Sequence, residues 1–154
     1  MLFQVALQFK KRFWEHRKLP IYGGGNSRTD IPGIQGTIYP SYGMNDTGPG
    51  VLLGTYSLHD APKSFLSLPE KEYVSHVVNA VAEMHGEEAK ELYTGDYRVK
   101  CWDLDRYAAG AWADPSIGQH KLYIPSYFRT ENNVCLFQTC IVIIVVLTRF
   151  LGCR

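Results

Sequence analysis

Cysteine is scarce and badly spaced for chemistry: four stand in 154 residues, none in a Cys-x-x-Cys pair and none at zinc-finger distance from a histidine. A structural zinc site is not expected, and with Cys135, Cys140 and Cys153 crowded into the last twenty residues neither is a disulfide framework. Charge of one sign is lacking too. Sixteen basic against fifteen acidic residues leave a net +1, which gives no field for nucleic acid. No Gly-x-Gly-x-x-Gly string occurs, so the dinucleotide fingerprint is missing, and Gly23-Gly24-Gly25 has no helix signal after it to complete a phosphate cradle. His76 and His85 stand nine apart, no metal pair, and are read as packed or solvent-facing. No Ser/His/Asp or Cys/His arrangement suggests a nucleophile. Met1–Phe9 is apolar but runs into Lys10–Arg12 without a basic leader, which is not the pattern of a secretory signal.

What is present has the size of one domain, with 45% hydrophobic and 13% aromatic residues, ten of them tyrosine. Val5–Phe9 alternates as a half-buried strand, with Val5, Leu7 and Phe9 on one side and Ala6 and Gln8 on the other. From Ile21 to Gly50 turn residues dominate and enclose a short strand, Gly36–Pro40. Gly50–Tyr56 is an apolar run that reads as a buried strand delivering Tyr56 to a surface or cleft. Ser67-Leu-Pro-Glu70 has the form of a capping box, and Tyr73, Val74, Val77, Val78, Val81 and Met84 follow at helical spacing until Gly86. Glu87–Leu92 adds a short helix, and Tyr97–Trp102 alternates as a strand. The fold class is α+β: a mainly antiparallel sheet with the Pro69–His85 helix on one face.

The stretch after that last strand organises the chain. Trp102 and Trp112 flank the small residues Ala108–Ala111, where compact side chains let backbone lie against a large flat object. In order and spacing, Trp102, Asp105, Tyr107, Gly110, Ala111, Trp112, Pro115, Gly118 and Gln119 resemble the late substrate-domain segment of flavin-containing amine oxidases. They are similar in particular to fungal and bacterial L-amino-acid oxidases. The Phe13-Trp14 pair resembles that family's strand-end signature, and Gly50–Tyr56 the strand whose terminal tyrosine reaches the substrate.

The resemblance implies an FAD cofactor and oxidative deamination of an L-amino acid or amine, with hydride passing from its α-carbon and peroxide as a product. It implies that Trp112 lines the substrate wall, that Tyr56 donates to the substrate carboxylate, and that Trp102, Gly110, Ala111 and Gln4 support the pocket near the flavin. Gln4 stands ten residues before Trp14, where the family typically carries a lysine that holds a water; a glutamine orients a water but brings no charge. No side chain here is expected to act as acid, base or nucleophile, and no metal is expected.

Residues 1–134 are read as a partial substrate domain. Most FAD contacts and the arginine for the substrate carboxylate lie outside it, so the expected partners are an amine or amino acid and a separate FAD-binding domain. The chain by itself is expected neither to turn over nor to carry stoichiometric flavin. Residues 135–154 are expected to stand outside the fold, as translated intron or frame-shifted sequence, because the resemblance stops at Val134. Val134–Thr148 is uncharged but only fifteen residues long, short of the ~20 that span a bilayer. The alternative reading is a non-catalytic binding or membrane-tethered module on the same fold. A carbohydrate-binding domain would explain the tyrosines but not the ordered match.

Overall fold

The computed structural model describes residues 2–108, 110, 117–119, 121, 122, 130, 131, 134 and 135. Five strands form one sheet: β1 (Leu2–Phe9), β2 (Asn26–Arg28), β3 (Gly36–Ile38), β4 (Gly50–Leu58) and β5 (Tyr93–Cys101), in the order β2-β3-β4-β1-β5. Every pairing in it is antiparallel. A two-residue ladder joins β6 (Thr130–Glu131) to β7 (Val134–Cys135). Between β4 and β5 lie three helices, α1 (Lys63–Leu66), α2 (Glu70–His85) and α3 (Glu88–Leu92).

β1 is the axis of the sheet, paired on both edges, and its alternation divides the structure. Phe3, Val5, Leu7 and Phe9 meet Tyr73, Val74, Val77 and Val81 of α2 in the main core, together with Trp14 and Phe65. Burying each such side chain stabilises the fold by about 1.5–3 kcal/mol. On the other face Ala6 joins Val51 and Leu53, flanked by Ile38 and Tyr56. The alternation expected from sequence is present. The strand is nevertheless buried on both sides rather than half-buried: on the second face Ala6 packs with Val51 and Leu53, and Gln4 bonds the Trp102 indole.

The capping box is a correction. Pro69 (φ −56°, ψ 144°) is the N-cap of α2, and no side chain caps it. Ser67 is taken up by ending α1, its hydroxyl donating to Ser64 O at 3.1 Å. Glu72 and Tyr73 N–H donate to Pro69 O instead. Gly86, at φ 101°, stops the helix as its sequence position suggests.

Helix α2 comes so close to the sheet at Gly54 that a Cβ there would lie 2.7 Å from Val77 Cγ1 and 3.0 Å from Leu7 Cδ1. Gly54 is also where the β1–β4 register shifts, Val5 facing Thr55 but Ala6 facing Leu53. This bulge reverses the phase of β4, so that Tyr56 and Leu53 share the face away from α2. Gly54→Ala is expected to lower stability by about 1–3 kcal/mol through overpacking. Urea denaturation checks this, and adding Val77→Ala, which opens the space, should recover part of the loss; independent, additive losses would contradict it.

The C-terminus of α2 is tied to the rest by His85. Arg17 donates to His85 Nδ1, leaving the ring proton on Nε2 to face Tyr39 Oη at 2.7 Å, and Tyr39 Oη lies 2.8 Å from Ser27 Oγ. Burial, and then the Arg17 charge, push the imidazole down to about 4 from its ordinary 6.5. Between those two values the unfolded chain takes up a proton that the folded one refuses, so stability is full above about pH 6.5 and falls as the pH drops toward 4. For a partly exposed ring the loss is about 1–2 kcal/mol. His85→Gln should flatten the stability profile between pH 7 and pH 4.5; an unchanged slope would sink this assignment.

Candidate active-site face

The face of the sheet turned away from α2 gathers the polar residues singled out by sequence. Gln4 on β1 lies in register with Tyr56 on β4 and with Lys100 on β5. Directly opposed residues of antiparallel strands point the same way. Tyr56, Gln4 and Lys100 therefore form one row across three strands, each about 4.8 Å from the next. Its position in β4 is what the Gly54 bulge secures, since an unbroken alternation back to Leu53 would turn the Tyr56 phenol into the α2 side.

Gln4 is 1% exposed. Its Oε1 accepts from Trp102 Nε1 at 3.0 Å, and its Nε2 is buried with no acceptor among the described residues. An indole nitrogen only donates, which decides which end of the amide faces it. Trp102 opens a 3₁₀ turn, Trp102–Leu104, at the end of β5. That turn is fastened to β1 by Leu2 N–H donating to Asp103 Oδ2 at 2.9 Å.

Lys100 Nζ lies 4.8 Å from the centroid of the Trp102 ring and pairs with Asp105. Asp105 in turn accepts from Tyr107 N at 2.9 Å and Ala108 N at 3.1 Å, closing the bend that leads toward Gly110. The Lys100 hydrogen bond, followed by those two backbone donors, holds the Asp105 carboxyl down at about 2. The ion pair is thus intact across the neutral range. Gly110 has open space where a Cβ would stand. Trp112, the expected wall, and Ala111, expected to support the pocket, lie outside the described residues.

A cleft of about 480 Å³ opens around the outer end of β5, lined by Phe3, Glu70, Tyr73, Lys100, Asp105 and Tyr107, and so touches the row only at Lys100. Burial, with Glu70 beside it, pushes the Tyr73 phenol up to about 12. This leaves a neutral hydroxyl rather than a base, and neither Gln4 nor Tyr56 borders the space. Of the buried polar side-chain atoms without a partner among the described residues, Gln4 Nε2, Trp14 Nε1 and Tyr42 Oη, Gln4 Nε2 alone belongs to the row.

The face that carries the row has donors of the kind the ring side of a flavin would need: a neutral amide beside an indole, with a tyrosine in the same row. It does not suit the phosphates. After Gly23–Gly25 the chain enters β2, not a helix N-terminus, so no backbone cradle forms at the glycines. Among the described residues no cluster of metal-ligating side chains occurs. Nor is any helix among them long and apolar enough to cross a membrane.

Sequence reasoning passed over Lys100, because its pairing with Gln4 depends on two strands far apart in the chain. Nor did it single out Arg12 and Glu15. They are 3% and 2% exposed, joined at 2.7 Å, and pin the Phe13-Trp14 turn to the loop at Tyr42 and Asn45. Trp14 is fully buried, the plug under that loop that its sequence suggests.

Comparison with known proteins adds independent findings. The family model described as flavin containing amine oxidoreductase matches residues 1–136. An L-amino-acid oxidase of Neurospora crassa is 50% identical over 134 residues, covering 85% of this chain and 19% of that protein. An L-amino-acid oxidase of Siganus canaliculatus is 33% identical over 132 residues, covering 85% of this chain and 24% of that one. Among solved structures, a putrescine oxidase bound to putrescine superimposes with a TM-score of 0.63 at 16% identity, covering 84% of this chain and 27% of the other. That likeness concerns the fold alone. The chain spans about a fifth to a quarter of the length of the two curated relatives.

Proposed function

Because this chain belongs to the flavin-containing amine oxidoreductases, a family whose cofactor is FAD, we propose that it is the substrate-domain part of an oxidase that deaminates L-amino acids. The observation that carries the proposal is the Tyr56–Gln4–Lys100 row, with a buried amide donor that has no acceptor among the described residues. The flavin, held largely by residues outside this chain, would take a hydride from the substrate α-carbon and hand its electrons to oxygen as peroxide. The imine left on the substrate then hydrolyses in water to a keto acid and ammonia.

This chain's residues have binding work to do. The Tyr56 phenol donates to the substrate carboxylate, a charge-assisted bond from a neutral group. Trp112, with the small residues Gly110 and Ala111 before it, forms the wall beside the amine; a dry aromatic surface disfavours the ammonium and keeps the amine neutral, as its oxidation requires. Gln4 steadies a water at the edge of this space, and Trp102 carries the hairpin. The 135–154 tail, expected to stand outside the fold, lies beyond the described residues except for Cys135 of β7. Isolated, with no phosphate cradle among its described residues, the chain neither binds stoichiometric flavin nor turns over.

Amino acids are favoured over simple amines by Tyr56 and by the names of the two relatives. The test is an exchange: the 134 aligned residues replace their counterparts in the Neurospora crassa enzyme. The hybrid should release peroxide from L-amino acids and not from putrescine. A hybrid that holds flavin yet makes peroxide only from amines would overturn the substrate assignment.

A further inference from the structure

Five asparagines stand in the chain, and only Asn45 has a hydroxyl residue two places on, in Asn45-Asp46-Thr47. That spacing, with no proline between, is the acceptor pattern for an N-linked oligosaccharide, and it carries weight only on a surface loop. The fold supplies that setting. Asn45, Asp46 and Thr47 are all exposed, in the turn-rich stretch between β3 and β4. Asn45 stands at φ 62°, a left-handed conformation that asparagine adopts more readily than most non-glycine residues.

The loop is held by its backbone and not by the asparagine side chain. Asn45 N–H donates to Glu15 Oε2 at 2.9 Å, and Tyr42 O accepts from Arg12 Nη2 at 2.7 Å, so the buried ion pair fixes the root of the loop from beneath. Among the described residues no hydrogen bond takes up the Asn45 side-chain amide. The Asp46 carboxylate, the one charge in the motif, turns forward along the chain and accepts from Gly48 N at 2.9 Å. A bulky polar group on Asn45 Nδ2 therefore displaces nothing that holds the fold. It also stands clear of the polar row: β4 begins with Gly50 opposite Phe9, and Tyr56 opposite Gln4 lies roughly 20 Å further along the strand.

We propose that Asn45 is a modification site, the acceptor of an N-linked oligosaccharide delivered by an oligosaccharyltransferase from a lipid-pyrophosphate donor. A bond forms between Asn45 Nδ2 and C1 of the first sugar, and the bond from C1 to the donor's phosphate oxygen breaks. The lipid pyrophosphate leaves with the electron pair, one amide proton passes to the transferase, and nothing is oxidised or reduced. The inference goes beyond the oxidase reading and needs neither flavin nor substrate.

The test directs the 154-residue chain into the secretory lumen of eukaryotic cells behind a cleavable leader. The greater part of it should migrate slowly on a denaturing gel and return to the unmodified mobility with peptide N-glycosidase, which leaves aspartate at position 45. Thr47→Ala should abolish the sugar while sparing Asn45 and its positive φ, Thr47→Ser should keep it, and Asp46→Pro should abolish it. Limited proteolysis then asks whether the folded state accepts the sugar: the glycosylated chain and its Thr47→Ala counterpart should resist alike. Should both be digested, the same pair is compared within the hybrid with the Neurospora crassa enzyme. An unmodified Asn45 in the lumenal chain, a sugar that survives Thr47→Ala, or a glycosylated protein digested where its Thr47→Ala counterpart resists overturns the proposal. An inactive hybrid whose Asn45 carries the sugar would sink the oxidase reading and leave this one.

Discussion

Arg12→Met unfolds the protein about 3–5 kcal/mol more easily than the native sequence. The guanidinium is buried, donating through Nε to Glu15 Oε1 at 2.7 Å and through Nη2 to Tyr42 O at 2.7 Å, and it lies 5.6 Å from the centroid of the Trp14 ring. Removing it strands the Glu15 carboxylate in the interior with Asn45 N–H, at 2.9 Å, as its remaining donor. Against a typical total stability of about 5–15 kcal/mol, such a loss decides whether the chain folds at body temperature. The pair Arg12→Met with Glu15→Met removes both charges and should recover at least half of the loss, because the uncompensated charge is what destabilises. Urea denaturation of the three variants measures this. A single variant costing under about 1 kcal/mol would mean that water reaches Glu15.

Tyr56→Phe has the largest expected effect on function. In the hybrid with the Neurospora crassa enzyme it should raise KM for L-amino acids about 10- to 100-fold, the worth of one hydrogen bond to a charged group. The ring stays, so the wall of the pocket and the flavin content should not change. Because a bond made equally in the bound and reacting substrate shifts KM and spares kcat, turnover at saturation should stay within about twofold. An amine without a carboxylate should be indifferent to the substitution. Equal losses for amine and amino acid would show that the phenol serves packing rather than recognition.

The sequence disclosed the elements better than it disclosed their meeting. Val5, Leu7 and Phe9 alternate plainly, and Tyr73, Val77 and Val81 recur at helical spacing, so the core between β1 and α2 could be read before any coordinates. The phase of β4 could not. Val51-Leu52-Leu53 is apolar on both faces, which hides the bulge at Gly54 and with it the reason Tyr56 stands beside Gln4. Ser67 misled because two helix ends compete for it, and α1 wins the hydroxyl. Lys10-Lys11-Arg12 looks like one solvated run; Lys10 and Lys11 are exposed, while Arg12 turns inward. Gln4 and Trp102 enter as candidate pocket residues only through the resemblance; the hydrogen bond between them, and Lys100 over the indole, arise from pairing of β1 with β5 that no local pattern reveals.

The most direct test of the account is to mix the flavin-loaded hybrid anaerobically with an L-amino acid and follow the visible flavin absorbance. The account predicts bleaching by the L-amino acid and none by its D enantiomer, since the proposed Tyr56 carboxylate bond and aromatic wall would present one Cα–H to the ring. Flavin that stays oxidised with every L-amino acid tried would contradict it.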